Sequence, residues 1–196
     1  MRYFFSFYIL FFSLQPLFSK ECKFFFDRYN SHLQWTAYKF TEKIGVDGTF
    51  SRFKVKNLRP SESIMKTVGG IVFAIDPASI NTMNKTRDRV ILRHFFGNLK
   101  GRKKIYGTFR NIYSDSAQLV LSMNKKKIKT PVKYSIIGED QLEVSGTLDL
   151  TEWNAQKALH KLNIACTDTH KGKDGLSYLW PLVDFKVIAK FTKACK

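Results

Sequence analysis

The chain reads as an all-β domain: an antiparallel up-and-down β-barrel of about eight strands with two short α-helices. Three observations predict this. Residues Gln141–Leu150 alternate without error, with Leu142, Val144, Gly146, Leu148 and Leu150 on one side and polar residues on the other. Val183, Phe185, Val187, Ala189 and Phe191 alternate in the same way with Asp184, Lys186 and Lys190. Connections such as Asn124–Lys127 and Gly138–Asp140 are of hairpin length. Period two repeated along a chain marks half-buried antiparallel strands. Meandering strands with one apolar face either curl into a barrel or stack as a sandwich, and closure removes exposed edges.

From the N-terminus, Arg2 is a short positive region, and Tyr3–Leu14 carries no charge. Pro16 breaks the run, and Ser19 is a small residue before Lys20. Residues 1–19 therefore read as a secretory signal peptide, and residues 20–196 as one exported, periplasmic domain. The apolar run is short for a membrane-spanning helix, which needs ~20 residues. No linker or internal repeat divides the rest.

Strand-like runs follow at Phe24–Asp27, Leu33–Phe40, Gly48–Val55 and Met65–Ile75. Asp76-Pro77 is a turn signal that stops the last of these. Asn84 can cap a helix over Lys85–Phe95, where Val90, Ile91, His94 and Phe95 recur at helical spacing, and Gly97 can end it in a left-handed residue. Such a helix in an all-strand chain suits the mouth of a barrel. Further strands fall at Ile105–Tyr113, Ala117–Met123 and Val132–Ile136. A second helix is expected over Glu152–Cys166, capped by Thr151, with a stripe of Ala155, Ala158, Leu159, Leu162, Ala165 and Cys166. A polar loop, Thr167–Ser177, returns the chain to the barrel.

The stretch Asp76–Phe96, DPASINTMNKTRDRVILRHFF, resembles the YceI-like family of lipocalin-like bacterial proteins. The matching residues are Ser79, Ile80, Thr82, Arg87, Asp88, Phe95 and Phe96, with weaker likeness in Gly48–Phe50, Gly146–Leu150 and the order of elements. The family often has His-Leu soon after its Arg-Asp pair; here Arg89-Val90-Ile91 stands instead, so no role of that histidine is carried over. The resemblance implies a barrel that binds a long-chain isoprenoid or other lipid inside, with no cofactor.

The aromatic load of residues 20–196 fits either a filled core or an elongated apolar cavity: twelve Phe, besides Tyr and three Trp. On the cavity reading, the strands contribute Trp35, Phe50, Ile71 and Phe73 from the first half. Tyr134, Ile136, Phe185 and Val187 come from the second half, and Val90 and Phe95 from the helix above. Arg87 is the candidate for a head group. A one-residue slip in register would turn any strand candidate outward.

Lys+Arg number 33 against 16 Asp+Glu, a formal net charge of +17. Lys125, Lys126, Lys127 and Lys129 cluster at one hairpin, and Arg102, Lys103 and Lys104 at another turn. These are either solvated tips or an interaction module for anionic membrane or polymer, the alternative to a lipid carrier. Nucleic acid is not expected: the chain reads as exported, and no nucleic-acid-binding motif is present. The four histidines lack metal-ligand spacing, and no nucleophile elbow, P-loop or dinucleotide fingerprint occurs. The chain therefore reads as a binding protein with no catalytic or metal residues.

Cys22, Cys166 and Cys195 are odd in number. One bridge leaves one thiol buried or paired with a second chain in a homodimer. All three pairings are open; Cys22–Cys166 is preferred, because Cys166 falls on the apolar face of its helix.

Overall fold

The computed structural model describes residues 20–101 and 104–196. The signal peptide read over 1–19 and two residues of the 102–104 basic turn lie outside these. Ten β-segments form one antiparallel sheet: β1 (Cys22–Lys39), β2 (Ile44–Phe50), β3 (Phe53–Lys56), β4 (Val72–Ile75), β5 (Ile80–Asn81), β6 (Ile105–Arg110), β7 (Ser116–Met123), β8 (Lys126–Ile137), β9 (Gln141–Asp149) and β10 (Leu179–Cys195). The helices are α1 (Ile64–Val68), α2 (Lys85–His94) and α3 (Gln156–Ala165).

The segments amount to eight strands. β2 runs into β3 through a corner at Ser51–Arg52, and β4 runs into β5 through a turn at Pro77–Ser79. β2 pairs with β5, and β3 with β4. The corner is held by Ser51 N–H to Ser79 O (3.1 Å), Asp76 N–H to Arg52 O (3.0 Å) and Arg52 N–H to Ser79 Oγ (3.0 Å). β1 pairs with β10, which completes the curl. The expected run Gly48–Val55 is thus one strand bent in the middle.

One rim gathers the start of β1, the end of β10 and α1. The other gathers the β1–β2 and β7–β8 turns with α2 and α3. At the first rim, Met65–Val68 is helix, not the expected strand. Ser63 Oγ accepts Lys66 N–H at 3.2 Å, a cap that fixes the first turn. Gly70 then takes φ +77°, which re-aims the chain into β4. Thr67 is buried without loss, since its hydroxyl bonds Phe24 O and Ser63 O and accepts Ser61 N–H.

At the second rim, Asn84 caps α2 as expected, accepting Thr86 and Arg87 N–H at 3.1 and 3.0 Å. Gly97 is not left-handed; Phe95 leaves the helix and residues 96–98 form a 3-10 turn. α3 is shorter than expected and Thr151 does not cap it. Asp149 instead ties Thr151 N–H and Oγ into a turn (2.9 and 2.7 Å). That turn drives Trp153 fully inside, its Nε1 donating to Leu121 O at 3.1 Å.

The bridge is Cys22–Cys195, and the preferred Cys22–Cys166 is wrong. Glu21 and Lys196 exchange both backbone hydrogen bonds (3.2 and 3.1 Å), so the next pair, Cys22 and Cys195, faces across the ladder with side chains close. Cys166 is free and lies at the opposite rim, where Thr169 O accepts Lys39 Nζ from the far end of β1.

His170 sits beside Cys166, with Nδ1 3.2 Å from Asn163 Oδ1. Burial, with Lys39 nearby, pushes its pKa down to about 4 from 6.5. Between those values the unfolded chain binds a proton that the folded chain refuses. Stability is therefore full above pH 6.5 and falls as pH drops toward 4. Asp174 and Asp184 are held below the ordinary carboxylate value by their hydrogen bonds, to Thr41 and to Thr147 respectively, so they weaken the fold only at lower pH still. The urea midpoint should fall between pH 7 and 4.5, and His170→Asn should flatten that slope. An unchanged slope in the variant would remove His170 from this account.

Candidate functional site: an apolar cavity inside the barrel

The inward parity of the strands is what builds the site. In β7, Ala117, Leu119, Leu121 and Met123 are buried while their neighbours are half-exposed. β9 and β10 show the expected alternation, with Leu142, Val144, Ala189 and Phe191 buried. These faces enclose a cavity of about 270 Å³ whose wall exposes no polar surface. That is near the lower end of the ~300–1,000 Å³ range of small-ligand pockets.

The cavity stays open although its lining is rich in large aromatics, because three rings lie flat over glycines on the neighbouring strand. Trp35 faces Gly48, Phe73 faces Gly107 and Phe185 faces Gly146 in register. A Cβ at Gly48 would sit 2.1 Å from the Trp35 ring, one at Gly107 2.1 Å from Phe73, and one at Gly146 3.1 Å from Phe185. A side chain at these positions would lift the ring off the wall and into the lumen. Gly107→Val should thus displace Phe73 inward, costing ~1–3 kcal/mol for overpacking and shrinking the cavity. Unchanged stability in urea together with unchanged uptake of an apolar probe would contradict that geometry.

Seven of the ten residues expected to line a cavity do so: Trp35, Phe50, Ile71 and Phe73 early in the chain, then Phe95, Phe185 and Val187. Three do not. Val90 is turned aside on α2, and Ile91, one residue on, faces the cavity instead. Tyr134 and Ile136 keep the inward parity of Val132, but they lie toward the end of β8, past the cavity. The Tyr134 hydroxyl bonds Tyr113 O there, and Ile136 is 42% exposed.

Arg87 is not at the cavity. It lines a groove outside the barrel and is engaged by Thr82, donating from Nε to Oγ1 (2.8 Å) and from Nη2 to the carbonyl (2.6 Å). Asp88, buried at the start of α2, accepts Thr82 N–H and Oγ1–H at 2.8 and 2.7 Å. Arg87 and Asp88 therefore meet on one residue, because the loop folds back over the first turn of the helix. Their role is to pin the loop between β5 and α2, which sets Ile91 and Phe95 over the lumen.

The wall glycines were missed, yet they carry a sequence signal. Gly-Thr followed by Phe or Leu occurs at Gly48–Phe50, Gly107–Phe109 and Gly146–Leu148. Each glycine faces a ring inside and each threonine points out. Two of the threonines bond backbone carbonyls, Thr49 to Leu33 and Thr108 to Ile71 (2.6 and 2.7 Å). Among the described residues no group of His, Cys, Asp and Glu could hold a metal ion.

No protein-family model and no curated protein sequence matches the chain. Solved structures do. A polyisoprenoid binding domain from Saccharophagus degradans, implicated in plant cell wall breakdown, superposes with a TM-score of 0.60 at 12% identity, over 90% of this chain and 100% of that one. BcnA from Burkholderia cenocepacia superposes with a TM-score of 0.55 at 12% identity, over 87% of this chain and 99% of that one. A YCEI protein from Campylobacter jejuni matches at 15% identity over 81% and 89% of the two chains, but its TM-score of 0.44 adds no weight. At such identities the likeness is one of fold. That fold is the lipocalin-like antiparallel β-barrel expected from the strand pattern.

Proposed function

We propose that this protein is an exported carrier or sequestering protein that holds a long apolar chain, isoprenoid or fatty-acid-like, inside its barrel. One observation carries the reading: a lumen that presents no polar surface. Such a lumen offers water nothing to bond, so a hydrocarbon chain is the favourable occupant. The Saccharophagus degradans domain of the same fold is described as polyisoprenoid binding, which supports a lipid ligand here. The Cys22–Cys195 bridge supports an oxidising compartment, in line with the signal peptide read over 1–19. No group among those lining the cavity is arranged for catalysis, and binding without turnover is the simplest use of it.

Affinity for single-chain alcohols should rise with chain length. Each buried methylene contributes ~0.8 kcal/mol, about fourfold in affinity. The rise should stop once the chain fills the lumen. Competition against an environment-sensitive apolar dye measures this directly. Affinity independent of chain length would rule the reading out.

A further inference from the structure

We propose that one wall of the barrel, formed by β3, β4, β6, β7 and β8, is an electrostatic docking face for an anionic phospholipid surface. Its outward positions follow from the ladder. Lys54 and Lys56 on β3 stand beside Ala74 and Val72, which pair with Tyr106 and Thr108. Arg110 on β6 pairs with Gln118, and Val120 and Ser122 on β7 pair with Lys129 and Lys127 on β8. Ser116 pairs with Lys133. Six of these outward side chains are basic, and none is acidic. Three acids border the wall: Asp76, two residues beyond Ala74, pairs with Arg52; Glu143 on β9 stands beside Ser135 of β8; and Asp115 at the rim accepts the Ser116 hydroxyl.

The six cations, Lys54, Lys56, Arg110, Lys127, Lys129 and Lys133, are exposed. None of the seven ion pairs found among the described residues involves these six, and one pair, Arg52–Asp76 at 3.1 Å, stands at the edge of the wall. The rest of the barrel, from the adjoining β9 through β10 and β1 to β2, is mixed: Asp47, Glu143, Asp149 and Asp184 point outward there, and Lys186 pairs with Glu143 at 2.9 Å. The excess positive charge is therefore gathered on one side. Along β8, Lys127 to Lys133 spans ~20 Å, and β3 to β8 spans ~19 Å across the strands.

The chemistry between the lysines narrows the partner. Serine, threonine and glutamine share the gaps with the half-buried Tyr106 and Val120, and Val72 and, at the end of β8, Ile137 are the large hydrophobics exposed on this wall. These apolar side chains are scattered and do not form the continuous apolar face of an inserting surface, and one tyrosine is not the series of aromatic platforms that stack nucleobases. What remains is a broad cationic plane for phosphate-bearing head groups, held by charge and released by salt. The inference does not depend on what the cavity holds.

The test uses the protein as the expressing cell yields it, with sedimentation on vesicles of 30% phosphatidylglycerol in phosphatidylcholine and on phosphatidylcholine alone. Binding should require the anionic lipid and fall steeply with salt. Each cation near such a surface contributes about fivefold, so Lys127→Glu with Lys129→Glu and Lys133→Glu should weaken partitioning by about 100-fold. Should that set fail to fold, the three Lys→Gln changes, which remove the same three cations, should still weaken it by about 100-fold. A control of equal charge change, Lys157→Glu with Lys161→Glu and Lys173→Glu, should lose less than about threefold, because it lies off this wall. Equal loss in both sets would mean that only net charge matters and would overturn the proposal. So would equal binding to neutral vesicles, or tighter binding to soluble polyphosphate than to vesicles at the same phosphate concentration.

Discussion

Phe185→Lys should abolish uptake of an apolar ligand and destabilise the fold by ~3–5 kcal/mol, the usual cost of losing a core phenylalanine, with a further penalty for the buried charge. Phe185 packs against both hydrophobic clusters of the barrel and lines the cavity between them. Its ring lies over Gly146, so a lysine there has no path to water except through the lumen. Phe185→Ala separates the two effects. It should fold, with a larger cavity and altered chain-length preference. Lys186, next along β10, points outward, and Lys186→Ala should bind as the parent does. A folded Phe185→Lys protein that takes up the same ligand with parent affinity would show that this side chain does not face the site.

Reducing the Cys22–Cys195 bridge should cost about 5 kcal/mol on chain-entropy grounds. The cysteines are 173 residues apart, so the bridge constrains nearly the whole unfolded domain. For a domain of this size the loss corresponds to a melting temperature lower by about 10–20 °C. The folded state should lose the most at the first rim, where β1 and β10 would fray from their ends. Alkylation under denaturing, non-reducing conditions should find one thiol per chain, and peptide mapping should place it at Cys166. Burial raises the pKa of that thiol, so in the folded protein it should react slowly. A bridge mapped to Cys166 would contradict the strand order at the rim.

How much of this was legible in the sequence depended on the range of the interaction. The alternation of β9 and β10 was plain, since period two is local. The same holds for α2, announced by Asn84 and its apolar spacing. α1 was not legible from its apolar residues. Met65–Val68 reads as strand until Ser63 is seen as a cap and Gly69-Gly70 as an exit. The bridge needed to know which rim each cysteine occupies. Cys22 and Cys195 follow from pairing the first and last strands, but Cys166 depends on where α3 ends, and that is set by the Asp149–Thr151 turn and Trp153. Within the cavity, strand parity placed Trp35, Phe73 and Phe185. It could not say that Tyr134 and Ile136 lie past the end of the lumen. Helix phase near Val90 turned on one residue, because both Val90 and Ile91 are apolar. The glycines that keep the lumen open are cross-strand features, and they acquire meaning only when register brings each one under its ring.

The central claim is that the lumen holds a lipid chain. Purified protein, extracted with organic solvent and examined by mass spectrometry, tests it most directly. The account predicts a long-chain lipid in close to one-to-one ratio with the protein, and its absence from Phe185→Lys prepared in the same way. Parent protein that yields no lipid, and that also leaves an added long-chain alcohol unbound, would contradict it.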